Sequence, residues 1–346
     1  MQEINTLLNY NSNVLLIAPT GWGKTTLLID LVSKSPCRWV YLAPLRALAN
    51  EFYIRCSKRI KGVVLIKHFH EINELIKSGI DFKLLIITPE LLTPEVYKQF
   101  ENNTNVVFDE IHLFYYWGDS FREKLMDCYE NILSLSIPVL SLTATMSENL
   151  LSRWHADSKR NHDNSFVINL NNHTLKKDPK MIIHVPRVFK NDAYKEFIFK
   201  KIKHSKLIFC GYRKEVEILK TSLKSLGFSV VSCIGGETES FQLELSLHSR
   251  PDFIIATTAI SHGVNLPKVS AILFRYPVKN YDFWIQMIGR AGRRGEEFKV
   301  YSMDKYRISK KDQFLSILYL LFIKLKNKII PYEFRRYYYS KNTVQG

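Results

Sequence analysis

The sequence lacks the cysteine patterns that mark zinc sites and disulfide frameworks. Its five cysteines form no Cys-x-x-Cys pair, and their number is odd. Free thiols in a reducing compartment explain this usage better than paired cysteines do. We therefore expect neither a cysteine-based metal centre nor a fold that is stabilised by disulfides.

Long apolar runs are also missing. The longest one, from Phe314 to Ile323, has about half of the roughly 20 residues that a membrane-spanning helix needs. The first ten residues contain no basic segment followed by an apolar core and a cleavage site, as a signal peptide would. Internal repeats and low-complexity tracts are absent as well. We therefore expect an intracellular, cytoplasmic globular protein without a membrane partner.

Positive charge is concentrated in the second half of the 346 residues. Residues 1–185 contain 20 Lys and Arg against 19 Asp and Glu, residues 186–310 contain 22 against 12, and residues 311–346 contain 7 against 2. A basic half suits a polyanionic partner, because Lys and Arg that meet phosphates release counterions. A solvated, solubilising surface is the alternative, and charge alone does not decide between them.

Short apolar segments rich in β-branched residues alternate with segments of helical periodicity. The alternation starts with NVLLIA, WVYLA, LLIIT, NVVFDE and PVLSLTAT, gives way to polar sequence around FVINL, and resumes with KLIFC, FSVVSCI, DFIIATT, SAILFRY and FKVYSM. Strands joined by helices form parallel sheets, whose ligands collect at the carboxyl ends of the strands. The sequence therefore predicts an α/β fold with two domains joined near residues 171–190.

A glycine-rich segment, APTGWGKTT over residues 18–26, follows the first apolar strand and precedes a helix. Backbone N–H groups of such a turn bind phosphate, Lys24 would reach the outer phosphates, and the Thr25 hydroxyl would bind Mg²⁺. The general pattern has Gly where this chain has Ala18, and a plain structural loop is the alternative. Trp22, at the tip, is either a solvent-facing side chain or a stacking surface. The segment predicts a site for a magnesium nucleotide.

Two adjacent carboxylates, Asp109 and Glu110, end the apolar strand NVVFDE. In a magnesium-nucleotide site, one carboxylate can hold the metal while the other accepts a proton from the attacking water. A helix N-cap is the alternative for the pair alone. The glycine-rich turn in the same domain favours the catalytic function.

Two arginines, Arg290 and Arg293, stand three residues apart in QMIGRAGRRG. This spacing predicts that both lie on one face of a helix start, where the glycines permit close approach. A positive charge on the transferring phosphoryl group speeds hydrolysis, so the pair predicts arginine fingers from the second domain. An exposed basic helix is the alternative.

Eight segments in order resemble the motifs of superfamily 2 helicases: APTGWGKTT, APLRALANE, TPELL, DEIH, LTAT, LIFCGYRKEVE, ATTAISHGVNLP and QMIGRAGRRG. The chain looks most like the DExH branch with the superkiller (Ski-type) RNA helicases and the archaeal DNA-repair helicases, where the first motif commonly begins with Ala. The resemblance implies two RecA-like domains of the P-loop NTPase class, each a mostly parallel sheet flanked by helices. These would be an ATP-binding domain over 1–180 and a helicase C-terminal domain over 181–310, followed by a basic helical tail over 311–346.

The resemblance also implies an ATP site with Mg²⁺. Asp109 would hold the metal, Glu110 would be the general base, and His112 would couple the site to the segment Thr143-Ala144-Thr145. The implied catalytic residues are Lys24, Asp109, Glu110, His112, Gln286, Arg290 and Arg293. The implied ATP-binding residues are Gln2, Thr20, Gly21, Gly23, Lys24, Thr25, Thr26, Gly263 and Asn265. Gln2 is near the position of the family's adenine-reading glutamine, and an exposed terminal residue is the alternative.

A nucleic-acid strand is the implied partner. Thr88 as an N-cap with Pro89 at the first helical position would leave N–H groups for a phosphate backbone. The candidate contacts are Pro44, Arg46, Thr88, Pro89, Thr143, Thr145, Gly211, Arg213, Thr257 and Thr258. Ordinary capping or turn chemistry is the alternative for each alone. Together with the basic second half, they predict a strand that is bound through its backbone.

Two features depart from the family. The aromatic segment from Phe114 to Trp117 replaces a short polar link, and it predicts either packing under the domain interface or a base-stacking wedge. Only about 50 residues follow the last motif. They predict an apolar helix from Phe314 to Leu325 that docks on the second domain, then a basic aromatic tail with Arg335 and Arg336 that grips nucleic acid or a partner, or is a loose end.

Two functions fit these observations. The first is an ATP-dependent helicase that translocates on one strand and unwinds duplex DNA or RNA. The second is a nucleic-acid-stimulated ATPase that remodels or clamps nucleoprotein complexes without unwinding, as a subunit of a protein partner. The full motif set favours the first, and the short region after the motor favours the second. The sequence decides neither DNA against RNA nor the polarity of movement.

Overall fold

The structure is a computed structural model that describes all residues except 1, 9–11, 79–80, 99, 101–102, 236, 249, 262–265, 305–307 and 330–346. The chain divides into two compact units. Unit 1 comprises residues 1–176, 261–265 and 281–289, and unit 2 comprises residues 177–260, 266–280 and 290–346. A segment late in the sequence, 281–289, therefore belongs to the first unit.

Unit 1 is built on a parallel sheet, which has seven strands in the described part of the chain. They are β1 Asn13–Ile17, β2 Arg38–Leu42, β3 Val63–Leu65, β4 Leu84–Ile87, β5 Thr104–Phe108, β6 Val139–Thr143 and β7 Ser165–Asn169. Their order in the sheet is β3-β4-β2-β5-β6-β1-β7. All pairings are parallel, so the carboxyl ends of the strands share one edge.

Unit 2 is built on a second parallel sheet, with six strands among the described residues. They are β8 Met181–His184, β9 Ser205–Phe209, β10 Val230–Cys233, β11 Phe253–Ala256, β12 Val269–Phe274 and β13 Lys299–Ser302. Their order is β10-β11-β9-β12-β13-β8, again with parallel pairings throughout.

Helices connect the strands in both units. In chain order they are α1 Gln2–Leu8, α2 Lys24–Lys34, α3 Arg46–Cys56, α4 Phe69–Ser78, α5 Pro94–Tyr97, α6 Ile111–Gly118, α7 Lys124–Ser134, α8 Glu148–Asn161, α9 Lys190–Phe199, α10 Arg213–Ser225, α11 Thr238–Leu247, α12 Tyr281–Ile288 and α13 Lys310–Ile329. Helix α12 belongs to unit 1. No helix in the described part of the chain combines the length and the apolar composition that a bilayer crossing requires.

Alternate side chains of the unit 1 strands enter two apolar cores on opposite faces of the sheet. Leu15 and Val40 belong to one core, and Val14 and Trp39 belong to the other. Strands β1 and β5 are covered on both faces and buried along their whole length, and their side chains are apolar from Val14 and from Val106 onward. Polar side chains are therefore left for the segments that follow the strands, at the carboxyl edge of the sheet.

The predicted α/β fold is confirmed, with two strands that the sequence pattern missed. Strand β3 has only three residues at the sheet edge, and β8 has four, so both are too short for a clear alternation. The apolar helix predicted over residues 314–325 is longer, since α13 begins at Lys310 and ends at Ile329. It packs against β8 and α9, with Leu320 and Ile323 in the core of unit 2.

Candidate nucleotide site

The turn between β1 and α2 adopts backbone conformations that require glycine. Gly21 has φ 79°, and Gly23, the N-cap of α2, has φ 114° and ψ 19°. Residues with a side chain rarely adopt such angles. A Cβ on Gly23 would meet no described atom within 4 Å, so backbone conformation rather than crowding demands glycine there. The N–H groups that open α2 are thus presented at the carboxyl end of β1.

Lys24 begins α2, and its side chain folds back over this turn. Its Nζ donates a hydrogen bond to the carbonyl oxygen of Ala18 at 2.6 Å. In the same first turn of α2, Thr25 is half-buried and Thr26 is exposed. The tip residue Trp22 is 48% exposed. The sequence-predicted phosphate turn therefore has an ammonium and a hydroxyl beside its N–H groups.

Asp109 follows β5 directly and is held by the neighbouring strand β2. Its N–H donates to the carbonyl oxygen of Leu42 at 3.1 Å. Its carboxylate accepts hydrogen bonds from the Tyr41 hydroxyl and from the Glu110 N–H, the latter at 3.1 Å. Burial and then the charge of Glu110 raise the pKa of Asp109 to about 6, against the opposing effects of Tyr41 and Lys24. A cation bound here would relieve this repulsion.

Glu110 has a left-handed backbone, with φ 49° and ψ 51°, at the N-cap of α6. A residue with a side chain pays roughly 1–2 kcal/mol for this conformation, and such residues concentrate at functional sites. Its Oε2 lies 3.5 Å from Nδ1 of His112 and 3.3 Å from Nε2 of Gln286. The strained backbone thus coincides with a carboxylate that faces two other predicted catalytic residues.

His112 is fully buried and links three segments of unit 1. Its Nε2 lies 2.8 Å from Nε2 of Gln286 on α12, and its Nδ1 lies 2.8 Å from Oγ1 of Thr143. The Thr143 hydroxyl donates in turn to the carbonyl oxygen of Thr145 at 2.7 Å. Burial lowers the pKa of His112 to about 4, so the ring is neutral near pH 7. The predicted coupling of His112 to residues 143–145 therefore has a direct hydrogen-bonded path.

Helix α12 is held in unit 1 by a buried carboxylate. Asp282 is 1% exposed and accepts hydrogen bonds from the Tyr116 hydroxyl at 2.6 Å and from Nε2 of His173 at 2.5 Å. Burial raises the pKa of Asp282, but the hydrogen bonds from His173 and Tyr116 outweigh it, and the net shift is downward. The ring of Phe283 packs against those of Tyr116 and Trp117. These contacts fix the helix that presents Gln286.

The aromatic segment from Phe114 to Trp117 contacts both an apolar core of unit 1 and helix α12. Phe114 and Tyr115 are fully buried in an apolar core of unit 1. Tyr116 and Trp117 are half-buried and contact α12, as described above. The segment is therefore packed within unit 1 and does not stand out as an exposed wedge.

The expectation that Arg290 and Arg293 lie at the start of a helix is wrong. Helix α12 ends at Ile288, and both arginines follow it in a turn of unit 2. A helix through residues 292–295 is excluded because Gly292 and Gly295 have φ 72° and 80°. The turn is organised by the Glu296 carboxylate, which accepts from the N–H groups of residues 292, 294 and 269. Arg290 is buried and Arg293 half-buried.

Gly289, the residue before Arg290, lies close to the phosphate turn. A Cβ at this position would be 3.0 Å from Oγ1 of Thr20, which is tighter than an ordinary contact. Within unit 1, the end of α12 therefore approaches the predicted ATP-binding residue Thr20.

Most of the predicted nucleic-acid contacts of unit 1 are buried, and Arg46 is the exception. Thr88, Thr143 and Thr145 are buried. Pro89 is also buried, and it begins a short 3-10 helix. Arg46 begins α3 and is exposed. The hydroxyl of Thr143 is engaged with Thr145 and His112, so it takes part in the nucleotide-site network.

Arg122, which was not among the sequence-predicted residues, joins two of the predicted motifs. It donates to the carbonyl oxygen of Pro44 at 2.6 Å and, from Nε, to Oε1 of Glu90 at 2.9 Å. Its guanidinium also lies over the ring of Trp117, 5.5 Å from the centroid. Arg122 thus connects the segments that follow β2 and β4 to the end of α6.

The candidate contacts of unit 2 lie at the carboxyl edge of its sheet. Gly211 and Arg213 follow β9 and are exposed, and the Arg213 guanidinium donates to the carbonyl oxygen of Gly235 at 2.7 Å. Thr257 and Thr258 follow β11, half-buried and exposed respectively. Because β9 and β11 are neighbours, the structure brings these two pairs to one edge.

Some predicted residues lie outside the described part of the chain. They are Gly263, Asn265 and the basic aromatic tail of residues 330–346. Gln2 begins α1, and its side chain lies outside the described part of the structure.

Comparison with known families identifies both halves of the chain. Residues 1–152 match the DEAD/DEAH box helicase family, and residues 189–295 match the helicase conserved C-terminal domain. The chain belongs to the superfamily 2 helicases. The predicted fold with RecA-like domains is confirmed, and both halves of the chain match helicase families.

Known proteins resemble this helicase at low sequence identity. It is 25% identical to the RecQ-like DNA helicase blm-1 of Caenorhabditis elegans over 84% of this chain, and 27% identical to the probable ATP-dependent DNA helicase RecS of Bacillus subtilis over 85%. Dbp5 of S. cerevisiae, solved with RNA and ADP BeF3, has the same fold, with a TM-score of 0.66 at 17% identity over 93% of this chain and 86% of that one. This helicase spans 31% of blm-1 and 61% of RecS.

Proposed function

We propose that this helicase hydrolyses ATP and uses the cycle to move along a single nucleic-acid strand and unwind duplexes. One observation carries the proposal: within unit 1, Gln286 hydrogen-bonds to both Glu110 and His112. Arg290 lies two residues beyond the end of α12. The helix that hydrogen-bonds to Glu110 therefore leads directly into the turn with Arg290 and Arg293. A motor needs this kind of link between chemistry and the segments that move.

Mg²⁺ fits the residues that are present. The described residues contain no cluster of three or more His, Cys, Asp or Glu that could enclose a metal ion. Nucleotide-bound Mg²⁺ needs only one or two protein groups, since phosphates and waters supply its other ligands. The raised pKa of Asp109 marks a carboxylate whose charge lacks full compensation. Asp109 and the Thr25 hydroxyl would hold the ion, which neutralises charge on the phosphates when bound.

Glu110 and Gln286 are suited to hold the attacking water. The Glu110 carboxylate, whose Oε2 lies 3.3 Å from Nε2 of Gln286, would accept a proton from the water. The Oε1 atom of Gln286 is buried and has no hydrogen-bond donor among the described residues. A water between these two groups would find two acceptors for its two hydrogens, which orients its lone pair for attack.

Arg290 and Arg293 would stabilise the charge that develops on the transferring phosphate. The turn that carries them is fixed by three N–H bonds to Glu296, so their backbone positions are well defined. A preorganised guanidinium costs little reorganisation when the charge appears. We therefore assign them the arginine-finger role predicted from the sequence.

DNA is the strand that we propose as substrate. The curated relatives named above are DNA helicases, whereas the likeness to an RNA-bound protein is a likeness of fold at 17% identity. The exposed edge of unit 2 with Arg213 and Thr258 would contact the phosphate backbone, in keeping with the excess of positive charge in the second half of the chain.

Placement within the superfamily is a separate proposal. The DEIH sequence supports the DExH branch, and a Ski-type or archaeal repair-type assignment competes with the RecQ-like character of the relatives. We also propose that the domains change near residue 180 and that the tail starts at residue 311, although residues 281–289 pack with unit 1 and α13 packs on unit 2.

ATP hydrolysis with and without a 30-nucleotide single strand tests the proposal. We expect oligodeoxynucleotides to stimulate hydrolysis more than oligoribonucleotides of the same sequence, and Glu110→Gln to abolish hydrolysis on both. Equal rates in the native chain and Glu110→Gln would overturn the ATPase assignment. Stronger stimulation by RNA would overturn the choice of DNA while leaving the ATPase intact.

A further inference from the structure

Helix α13 exposes an unusual number of large apolar side chains. Seven of them are between 39% and 65% exposed: Phe314, Leu315, Ile317, Leu318, Leu321, Phe322 and Leu325. The opposite side of the helix is already packed, with Ser316, Leu320 and Ile323 buried against unit 2. An amphipathic helix on a protein surface normally exposes its polar face, whereas the described residues leave a second apolar face of α13 uncovered.

The exposed side chains follow the spacing of a helix seam. Phe314, Leu318, Leu321 and Leu325 are separated by four, three and four residues, which aligns them along one line of the helix. Leu315 and Phe322 are seven residues apart and flank this line on one side. These side chains recur at alternating intervals of three and four residues over about 16 Å of helix. Side chains of a second helix can pack between residues with this spacing, as they do in a coiled coil. We refer to these six residues as the α13 seam.

Positive charge surrounds the α13 seam. Lys310 and Lys311 precede it, and Lys324 and Lys326 flank its far end, all four exposed. The one carboxylate of the helix, Asp312, is engaged by the Ser309 hydroxyl at 2.6 Å. Like charges would face each other if a second copy of α13 packed here. Charge complementarity therefore selects an acidic occupant.

The size of the exposed face points to one helix rather than a broad interface. It amounts to roughly 600 Å², since a large apolar side chain presents on the order of 150–200 Å² when free. This exceeds or equals the largest apolar patch of a typical monomer, about 300–600 Å². It falls short of the about 800 Å² per partner in a standard stable interface. A single amphipathic helix laid along the seam matches this area.

We propose that the α13 seam is the docking site of a partner protein's amphipathic helix with acidic flanks. The apolar seam would bury the leucines of that helix, and Lys310, Lys311, Lys324 and Lys326 would meet its Asp and Glu residues. The inference rests on the packing and charge of α13 and is independent of the ATPase and unwinding activities proposed above.

Binding of two synthetic 21-residue peptides to the full chain tests the proposal. Both peptides have leucine at the a and d positions of three heptads, and they differ only in having Glu or Lys at the flanking positions. Fluorescence anisotropy would give the affinities in low and moderate salt. The variant Leu318→Ser/Leu325→Ser interrupts the seam. Leu243→Ser/Leu247→Ser on α11 is the matched control, because both leucines are exposed and lie off α13.

We expect the Glu-flanked peptide to bind at least about tenfold more tightly than the Lys-flanked one, and this preference to shrink as salt rises. The seam variant should lose about tenfold in affinity, while the α11 control and the rate of ATP hydrolysis stay unchanged. Equal binding of the two peptides, or binding that survives Leu318→Ser/Leu325→Ser, would overturn the proposal. A dimer in sedimentation that this variant dissociates would assign the seam to a second copy and overturn it too.

Discussion

Nε2 of His112 lies 2.8 Å from Nε2 of Gln286, and this contact determines which nitrogen of the imidazole carries the proton. The Gln286 amide nitrogen also faces the Glu110 carboxylate, so it is a donor, and Nε2 of the neutral ring accepts from it. Nδ1 therefore holds the proton and donates to Oγ1 of Thr143. The chain of donors runs in one direction from α12 to the LTAT segment, so a movement of α12 would alter both the acidic pair and Thr143.

Replacing Gln286 by Ala should lower the turnover of ATP by roughly tenfold to a hundredfold, because the general base loses its neighbour and the water loses an acceptor. The KM for ATP should change by less than about threefold, since the phosphate turn is untouched. Steady-state kinetics measures both. Gln242→Ala is the control, as this glutamine is exposed on α11. An effect on KM alone would show that Gln286 contributes to binding rather than to catalysis.

The pKa of Asp109 should appear in the pH dependence of kcat/KM. This pKa is raised to about 6, so the carboxylate that would hold Mg²⁺ becomes protonated and inactive as the pH falls through about 6. Excess Mg²⁺ should move this acidic limb to lower pH, because metal and proton compete for the same oxygens. Tyr41→Phe removes a hydrogen bond that lowers the pKa, and the limb should then move to higher pH.

Tyr53→Phe is the control for this measurement, because Tyr53 is a half-buried tyrosine of α3 outside the acidic site. An acidic limb at the same pH in the native chain and Tyr41→Phe would assign the titration to another group.

The left-handed backbone at Glu110 predicts a conflict between activity and stability. Asn tolerates this conformation and is a favoured N-cap, so Glu110→Asn should unfold with a free energy about 1 kcal/mol higher than Glu110→Gln. Both variants should lose hydrolysis, as neither has a base. Denaturant titration of the two inactive variants isolates the backbone effect. Equal unfolding free energies would mean that the conformation stores no strain.

Arg213→Ala should weaken single-strand binding uniformly across sequences and reduce the slope of log affinity against log salt by about 0.7–1, as expected when one phosphate contact is lost. Arg250→Ala is a matched control, because this exposed arginine precedes β11, at the opposite edge of the unit 2 sheet. Binding titrations at several salt concentrations give the slope. The same loss in both variants would indicate a general effect of charge and remove Arg213 from the contact surface.

The sequence predicted most of the fold because apolar strands and helical segments alternate clearly. The glycine-rich turn before Lys24 and the acidic pair after β5 could also be located, since both follow buried strands and have distinctive composition. Short edge strands such as β3 were missed, because three residues carry too little periodicity.

Residues whose role depends on tertiary contacts could not be found from the sequence. Tyr41 meets Asp109 from a neighbouring strand 68 positions away, and Asp282 meets Tyr116 across 166 positions. Glu296 belongs to none of the recognised sequence motifs, although its carboxylate organises the turn with Arg290 and Arg293. The sequence alone therefore predicts a helix start where the structure has a turn. The glycines at 292 and 295 were the available signal, because repeated glycines disfavour a continuing helix.

Displacement of a tailed DNA duplex is the measurement that tests the central claim most directly. With ATP and Mg²⁺, the native chain should release the paired strand from a duplex with a single-stranded tail, and Glu110→Gln should bind the same duplex without releasing it. One result would contradict the claim that this motor unwinds: the native chain hydrolyses ATP when a single strand is added but releases no strand from DNA or RNA duplexes.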